Sequence, residues 1–251
     1  CEKPMALTRE DCPAMVDAGR KSSCKLMIGQ ICRYTPGFEK AKELIDQGAI
    51  GELFYVESEY AHDYRFVIPD ASNWRADPQR SGFLGGGCHA VDLLRWIAGD
   101  PLEVMAYANK KMLRYLPTDD CTISILKFPH EVIGKVFVSI GCKRDYTMRS
   151  AFYGSKGTIV ADNTSPFITL YQESLNGGEL FGCGTEEIPI RYPVALGNHN
   201  TIGEIADFVE AIVTGKPVKT DALQGAATVA ACLAVLDSVR LGAPVRPDYA
   251  F

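Results

Sequence analysis

From residue 102 onward the chain breaks into short apolar runs of period two, and this feature restricts the fold more than any other. The runs are "LEVMAYANKKML" (102–113), "CTISILKF" (121–128), "EVIGKVFVSIG" (131–141), "RSAFYG" (149–154) and "GTIVAD" (157–162). Apolar and polar residues alternating along a strand put one kind on each face, so the runs predict a large, mostly antiparallel sheet. Gly154-Ser-Lys-Gly157 reads as a tight hairpin turn between the last two. A sheet apolar on one face needs a cover there, and its other face is expected to meet a second copy of the chain.

The earlier residues follow a different rhythm. Thr8 is placed to cap a helix over 9–18 closed by Gly19, after which "KLMIGQICRY" reads as a buried strand. Thr35-Pro36 opens a second helix, with Phe38, Ala41, Leu44 and Ile45 on one stripe and Gly48 at its end. The strand-like "ELFYVESEY" follows. Near the far end, "TIGEIADFVEAIVTG" and "ALQGAATVAACLAVLDSVRLG" predict two helices, the second rich in small residues suited to close packing. The first 35 residues thus resemble the tail of an alternating α/β unit and the remainder an α+β domain, with a boundary near 35–50. So short an α/β unit cannot bury both faces of a parallel sheet, and the chain opens on Cys1, so partner strands are expected upstream.

Composition excludes several classes. With 47% hydrophobic residues in 251 the chain can bury a sizeable core. A net charge of −5 without a Lys/Arg run speaks against nucleic acid or an anionic membrane as partner. Nine cysteines, with no C-x-x-C pair, fit neither a disulfide framework nor a zinc site, so a reducing cytoplasm and no metal are expected. No signal peptide is evident, and no apolar run reads as approaching the ~20 residues of a membrane span.

The candidate chemistry centres on "GFLGGGCHAVDLLRW" (82–96). Gly85, Gly87 and Ala90 match a dinucleotide-binding glycine pattern, with Glu103 at a suitable distance, but the preceding "NWRADPQRSG" is loop rather than the strand that pattern needs. The alternative is that the glycines place His89 at a helix start, where Asp92, three residues on, shares its face and is placed to tune its basicity. Lys3, kept extended by Pro4, is placed to reach a substrate hydroxyl. His199 either caps the following helix with Asn198 or Asn200 or lines a site. Trp74 is suited to stacking on a sugar face and Arg75 to bonding hydroxyls. His62 and His130 have no evident constellation.

Taken together, "EKPMA" (2–6), "GQICRYTPGFEKAKELIDQGAIGELFYVESEY" (29–60), "NWRADPQRSGFLGGGCHAVDLLRWIAG" (73–99), "GSKGTI" (154–159) and "HNTIGEIADFVEAIVTGKPV" (199–218) resemble the glucose-fructose oxidoreductase, inositol 2-dehydrogenase and MocA family. The resemblance implies NAD(P)-dependent hydride transfer to or from a sugar, inositol or similar polyol. It implies that residues 1–35 end a truncated Rossmann domain and 36–251 form a substrate-binding and oligomerisation domain, in a homo-oligomer. It makes Lys3 and His89 catalytic, places Glu2, Lys3 and Pro4 at the cofactor, and makes Arg33, Tyr34, Asn73, Trp74, Arg75, Asp92 and His199 substrate-side candidates. Two departures stand out: the family's aspartate four residues before the histidine is Gly85, and the pyrophosphate-binding glycine loop is absent from the chain. The first leaves open an NAD-dependent glycosidase that oxidises its sugar transiently, or a non-catalytic sugar- or nucleotide-sensing scaffold.

Overall fold

The computed structural model describes residues 1–172, 189–197 and 199–251. Helices α1 (Asp11–Lys21) and α2 (Pro36–Asp46) precede strand β1 (Leu53–Ala61). Helix α3 (Cys88–Ala98) then leads into β2 (Glu103–Asn109), β3 (Cys121–Lys127), β4 (Ile133–Ser139), β5 (Arg149–Gly154), β6 (Gly157–Asp162), β7 (Phe167–Gln172) and β8 (Ile190–Pro193), and α4 (Thr201–Thr214) and α5 (Ala222–Leu241) follow.

Among the described residues these eight strands form one sheet in the order β2-β3-β4-β1-β5-β6-β7-β8. β1 and β4 run parallel, with Val56 opposite Gly134, and all other neighbours are antiparallel. The expected hairpin is present, Gly154 pairing with Gly157 around Ser155-Lys156. β7 and β8 were not legible as strands in the sequence.

Helices cover one face: α5 packs on β2, α3 on β1 and β4, and α2 on β6 and β7. Strand residues Val56, Val136, Val138, Phe152, Ile159 and Ile168 meet Leu93, Leu94, Phe38 and Val229 there in one buried cluster, which also contains Met5, Cys12, Val16 and Ile28 from the first segment. The other face leaves Tyr107, Ile123, Ile125 and Ile133 exposed on β2, β3 and β4.

Three expectations about local structure are corrected. "KLMIGQICRY" is not a strand: residues 22–30 carry no regular structure and Ile31–Tyr34 form a 3-10 turn. Its backbone is satisfied piecemeal, Ile28 N–H donating to Thr220 O and Gly29 N–H to Cys1 O, each at 2.8 Å, rather than by a ladder. Helix α1 starts two residues later than expected and runs through Gly19 to Lys21; the Thr8 hydroxyl does accept from Asp11 N–H at 3.3 Å. Finally, α5 is long and apolar enough by length and composition to cross a membrane, with mean hydropathy 1.6. It is a core helix whose alanines allow close approach on several sides, Ala226, Val229, Ala231, Ala234 and Val235 all being buried.

A buried charge network ties these elements together. Asp92 on α3 accepts two charge-assisted bonds from Arg33 of the 3-10 turn, Nε to Oδ2 and Nη2 to Oδ1, both 2.7 Å. Thr228 of α5 donates to Asp92 Oδ1 at 2.8 Å, and Arg95 donates to Thr228 Oγ1 at 2.6 Å. Arg33 also reaches Gln224 Oε1 at 3.0 Å. Removing one member of such a buried pair leaves an uncompensated charge, at a cost of about 3–5 kcal/mol. Asp92→Ala is therefore expected to destabilise the chain by about that amount in urea denaturation; a loss within the scatter of surface substitutions would show that the network does not hold the fold.

Candidate active site

Lys3 is the first element of the site. The Lys3-Pro4 peptide is cis, and the lysine Nζ donates to Gly85 O at 2.8 Å, joining the N-terminal segment to the glycine run. That run is a helical turn of π type, Phe83–Gly87, continuous with α3 and wholly buried. Gly85 N–H is spent on Ser81 O at 2.8 Å. The turn therefore presents no open cradle of N–H groups to a phosphate, and the glycines serve packing. A Cβ on Gly86 would lie 2.5 Å from Tyr60 Cε1, and one on Gly87 2.6 Å from Val138 Cγ2, so only glycine lets the turn lie against β1 and β4.

Two residues after this turn's close, His89 is the second residue of α3 and is only 1% exposed. Its ring stacks at 6.0 Å on Tyr60 and lies 5.9 Å from His199. Tyr146 sits 5.7 Å from His199 and 5.2 Å from Tyr60, and His62 lies 5.1 Å from Tyr146 and 5.0 Å from Tyr64. The hydroxyls of Tyr60 and Tyr64 hydrogen-bond at 2.8 Å. His89 Nδ1, His62 Nδ1 and the Tyr146 hydroxyl are buried without a partner. Buried polar atoms are seldom left unpaired, so this cluster is a candidate ligand site.

Above this aromatic floor opens a cavity of about 800 Å³, lined by Glu2, Lys3 and Pro4, by Tyr60, His62 and Tyr64, and by Trp74, Arg75 and Arg80. Trp74 stands at its rim, 62% exposed, with the Arg75 guanidinium 4.3 Å and the Arg80 guanidinium 4.7 Å from its ring.

Electrostatics keep the imidazoles neutral. Burial, then the Lys3 ammonium and His199, push His89 well below the usual histidine range. Burial and Lys3 also lower His199 and His62, the neighbouring carboxylates Glu2 and Asp63 acting in the opposite sense. Burial, with Tyr64 and Tyr146 nearby, holds the Tyr60 hydroxyl protonated far above neutrality.

Of the residues singled out in the sequence, Glu2, Lys3, Pro4, Trp74 and Arg75 line this cavity, and His89 and His199 lie in the aromatic cluster at its base. Four substrate-side candidates have bonding partners within the chain. Arg33 and Asp92 are buried and bonded to each other, the Asp92 carboxylate facing Arg33 and Thr228 rather than His89. Tyr34 is buried and donates to Asp207 on α4 at 2.8 Å. Asn73 shapes its own loop, Oδ1 accepting from Arg75 N–H at 3.0 Å and Nδ2 donating to Val67 O at 3.3 Å. Asn200 caps α4, accepting from Gly203 N–H at 2.9 Å, while Asn198 lies outside the described residues.

His62, which seemed isolated, belongs to the cluster, as do Tyr60, Tyr64 and Tyr146; Arg80 joins Arg75. The signal for three of them was present: Tyr60, His62 and Tyr64 recur every second residue at the end of β1.

Comparison with known proteins agrees with this architecture. The fold superimposes on levoglucosan dehydrogenase in complex with NADH and levoglucosan with a TM-score of 0.85, at 22% identity, covering 99% of this chain and 73% of that one. The two share a fold in which helices cover one face of a large sheet. Residues 38–160 match the GFO/IDH/MocA C-terminal domain. The chain is 27% identical over 252 residues to inositol 2-dehydrogenase 2 of Saccharopolyspora erythraea, covering 98% of this chain and 69% of that protein. A shorter match of 93 residues is 37% identical to an NADP(+) D-xylose 1-dehydrogenase of Haloarcula marismortui, covering 37% of this chain and 25% of that one.

The buried neutral histidine has a consequence for stability. The unfolded chain protonates His89 below about pH 6.5, while the folded chain resists protonation to much lower pH. Above pH 6.5 the group contributes no pH dependence; as pH falls below it, the unfolded state takes up the proton and stability drops by about 1.4 kcal/mol per unit. His89→Gln is expected to flatten this decline between pH 6.5 and 5 in thermal melts, and an unchanged slope would show that His89 is not held neutral.

Proposed function

We propose that the chain is the substrate-binding portion of an NAD(P)-dependent oxidoreductase that transfers a hydride between nicotinamide and a carbon of a sugar, inositol or similar polyol. One observation carries this reading: Lys3 and His62 line a cavity large enough for a sugar ring, and its floor residues Tyr60 and His62 belong to the aromatic cluster in which polar atoms of His89, His62 and Tyr146 are left without partners. The relatives named as inositol and xylose dehydrogenases support it.

The residues present fit the reacting end of such a cofactor and not its pyrophosphate. The orphan donors and acceptors beside Lys3 suit a polar ligand, whereas the glycine run is buried and spent on packing. Glu2, Lys3 and Pro4 would lie against the nicotinamide, which supplies the hydride acceptor or donor. Lys3 then donates a hydrogen bond to the reacting hydroxyl oxygen, favouring loss of its proton. His89, neutral at working pH, is the acceptor for that proton. Because His89 lies beneath the cavity's tyrosine floor, its neighbours Tyr60 and His199 orient it there.

Gly85 favours a second reading, in which the sugar is oxidised only transiently and an aglycone is eliminated before re-reduction. Aglycone release without net NADH separates that outcome from dehydrogenation. A scaffold without activity would bind sugar equally well after Lys3→Ala and turn over nothing.

In full-length protein supplied with NAD(P) and a polyol panel, Lys3→Ala is expected to lower kcat/KM by about 10²–10⁴-fold, the usual range for loss of a proton-handling group. The assay is nicotinamide absorbance, with melting temperature as the control for folding. Wild-type protein that turns over no member of the panel sinks the reading.

The exposed apolar face of β2, β3 and β4 further supports assembly through a second copy. Ile125→Arg, at its centre, should convert a dimer or larger oligomer to a monomer in sedimentation; a wild-type monomer removes this part of the proposal.

A further inference from the structure

The cavity has a charge imbalance that a neutral polyol does not explain. Three cations converge on its rim and walls: Lys3, Arg75 and Arg80. Arg80 and Lys3 flank the same residue, Lys3 bonding Gly85 O at 2.8 Å while Arg80 Nε lies 3.3 Å from where a Cβ of residue 85 would stand. Arg75 and Arg80 share one indole ring, at 4.3 and 4.7 Å. Arg75 and Arg80 also act electrostatically on the buried Tyr64, and Lys3 and Arg80 on the buried Cys88.

Among the described residues none of these three side chains makes an ion pair, although many of the chain's other arginines and lysines do. The cavity's own carboxylates do not neutralise them. Glu2 and Asp77 are exposed, and the Asp77 carboxylate accepts from Gln79 N–H at 2.8 Å. Asp63, next to His62, is engaged by Arg65. Gly85 places no side chain against Arg80, although a Cβ there would lie 3.3 Å from its Nε.

Half-buried guanidiniums without ion-pair partners, set over one aromatic ring, offer donors suited to a planar or tetrahedral oxyanion. We infer that Arg75 and Arg80, with Lys3, bind an anionic group carried by the substrate itself, so that the preferred ligand is a sugar or polyol bearing a carboxylate or a phosphate. The inference rests on the oxidoreductase reading for the ligand's carbon skeleton, and on this cavity alone for its charge. The anion sits toward Trp74 and the arginines, leaving the hydroxyl to be oxidised beside Lys3 and the histidines.

The test uses full-length protein and three matched ligands: D-glucose, D-glucuronate and D-glucose 6-phosphate. Calorimetric binding is measured first, without turnover, and NAD(P)-linked activity second. At least one charged ligand should bind ten times or more tightly than glucose, and which one it is distinguishes carboxylate from phosphate. Arg80→Gln should remove most of that preference, as should Gly85→Asp, which sets an internal carboxylate against Arg80; the exposed Lys21→Gln should keep it. Melting curves confirm that each variant is folded. Equal binding of all three ligands, binding of none, or a preference that survives both Arg80→Gln and Gly85→Asp overturns the inference. Charge-selective binding without any turnover would leave this subsite standing while removing the oxidoreductase reading, and turnover of neutral polyols without charge selectivity would do the reverse.

Discussion

The bonding of Asp92 is the constraint on which the site's geometry depends. A carboxylate with no solvent exposure is tolerable only when several donors meet it, and here Arg33 donates from the 3-10 turn and Thr228 from α5, while Arg95 of its own helix adds charge at 3.6 Å. The effect is to pin the start of α3 against both α5 and the segment that follows residue 30. His89, one turn before Asp92, inherits that fixed position. So does Gly85 O, the acceptor for Lys3. The charge that seemed available for proton chemistry instead holds the chemistry in place.

A second balance is electrostatic. The Lys3 ammonium enters an environment of buried imidazoles and phenols, and none of the carboxylates nearby is bonded to it. Its field acts with burial to keep His89, His62 and His199 unprotonated, which is the state a proton acceptor needs. The same lack of nearby neutralising carboxylates leaves Arg75 and Arg80 open along the cavity rim. Burial, aided by Lys3, thus keeps the bases in the floor neutral, while the cations at the wall are left without an ion-pair partner among the described residues.

Much of this was legible in the chain itself. The alternating runs after residue 102 identified the sheet, because period-two burial is a local property of strands. The helices at 36–46, 88–98, 201–214 and 222–241 announced themselves through their apolar stripes, proline and glycine punctuation and small-residue packing. The segment "KLMIGQICRY" misled for the converse reason. An apolar run records burial, and this one is buried by packing against α5 and the N-terminal residues without entering a ladder. Lys3, His89 and Trp74 were recognisable because their immediate neighbours, a proline, a glycine run and an arginine-bearing loop, are chemically suggestive.

By itself, then, the sequence determined the strands, most of the helices and the two residues on which the proposed chemistry turns, since each depends on interactions within a few positions along the chain. Only the tertiary structure decided what those residues face. It alone brought Tyr60, Tyr64, Tyr146, His62 and His199 around His89, paired Arg33 with Asp92 across 59 positions, and set Arg80 against the vacant side of Gly85. Contacts between residues far apart in the chain follow from how the sheet and helices pack, and no local pattern encodes which charges that packing neutralises and which it leaves free.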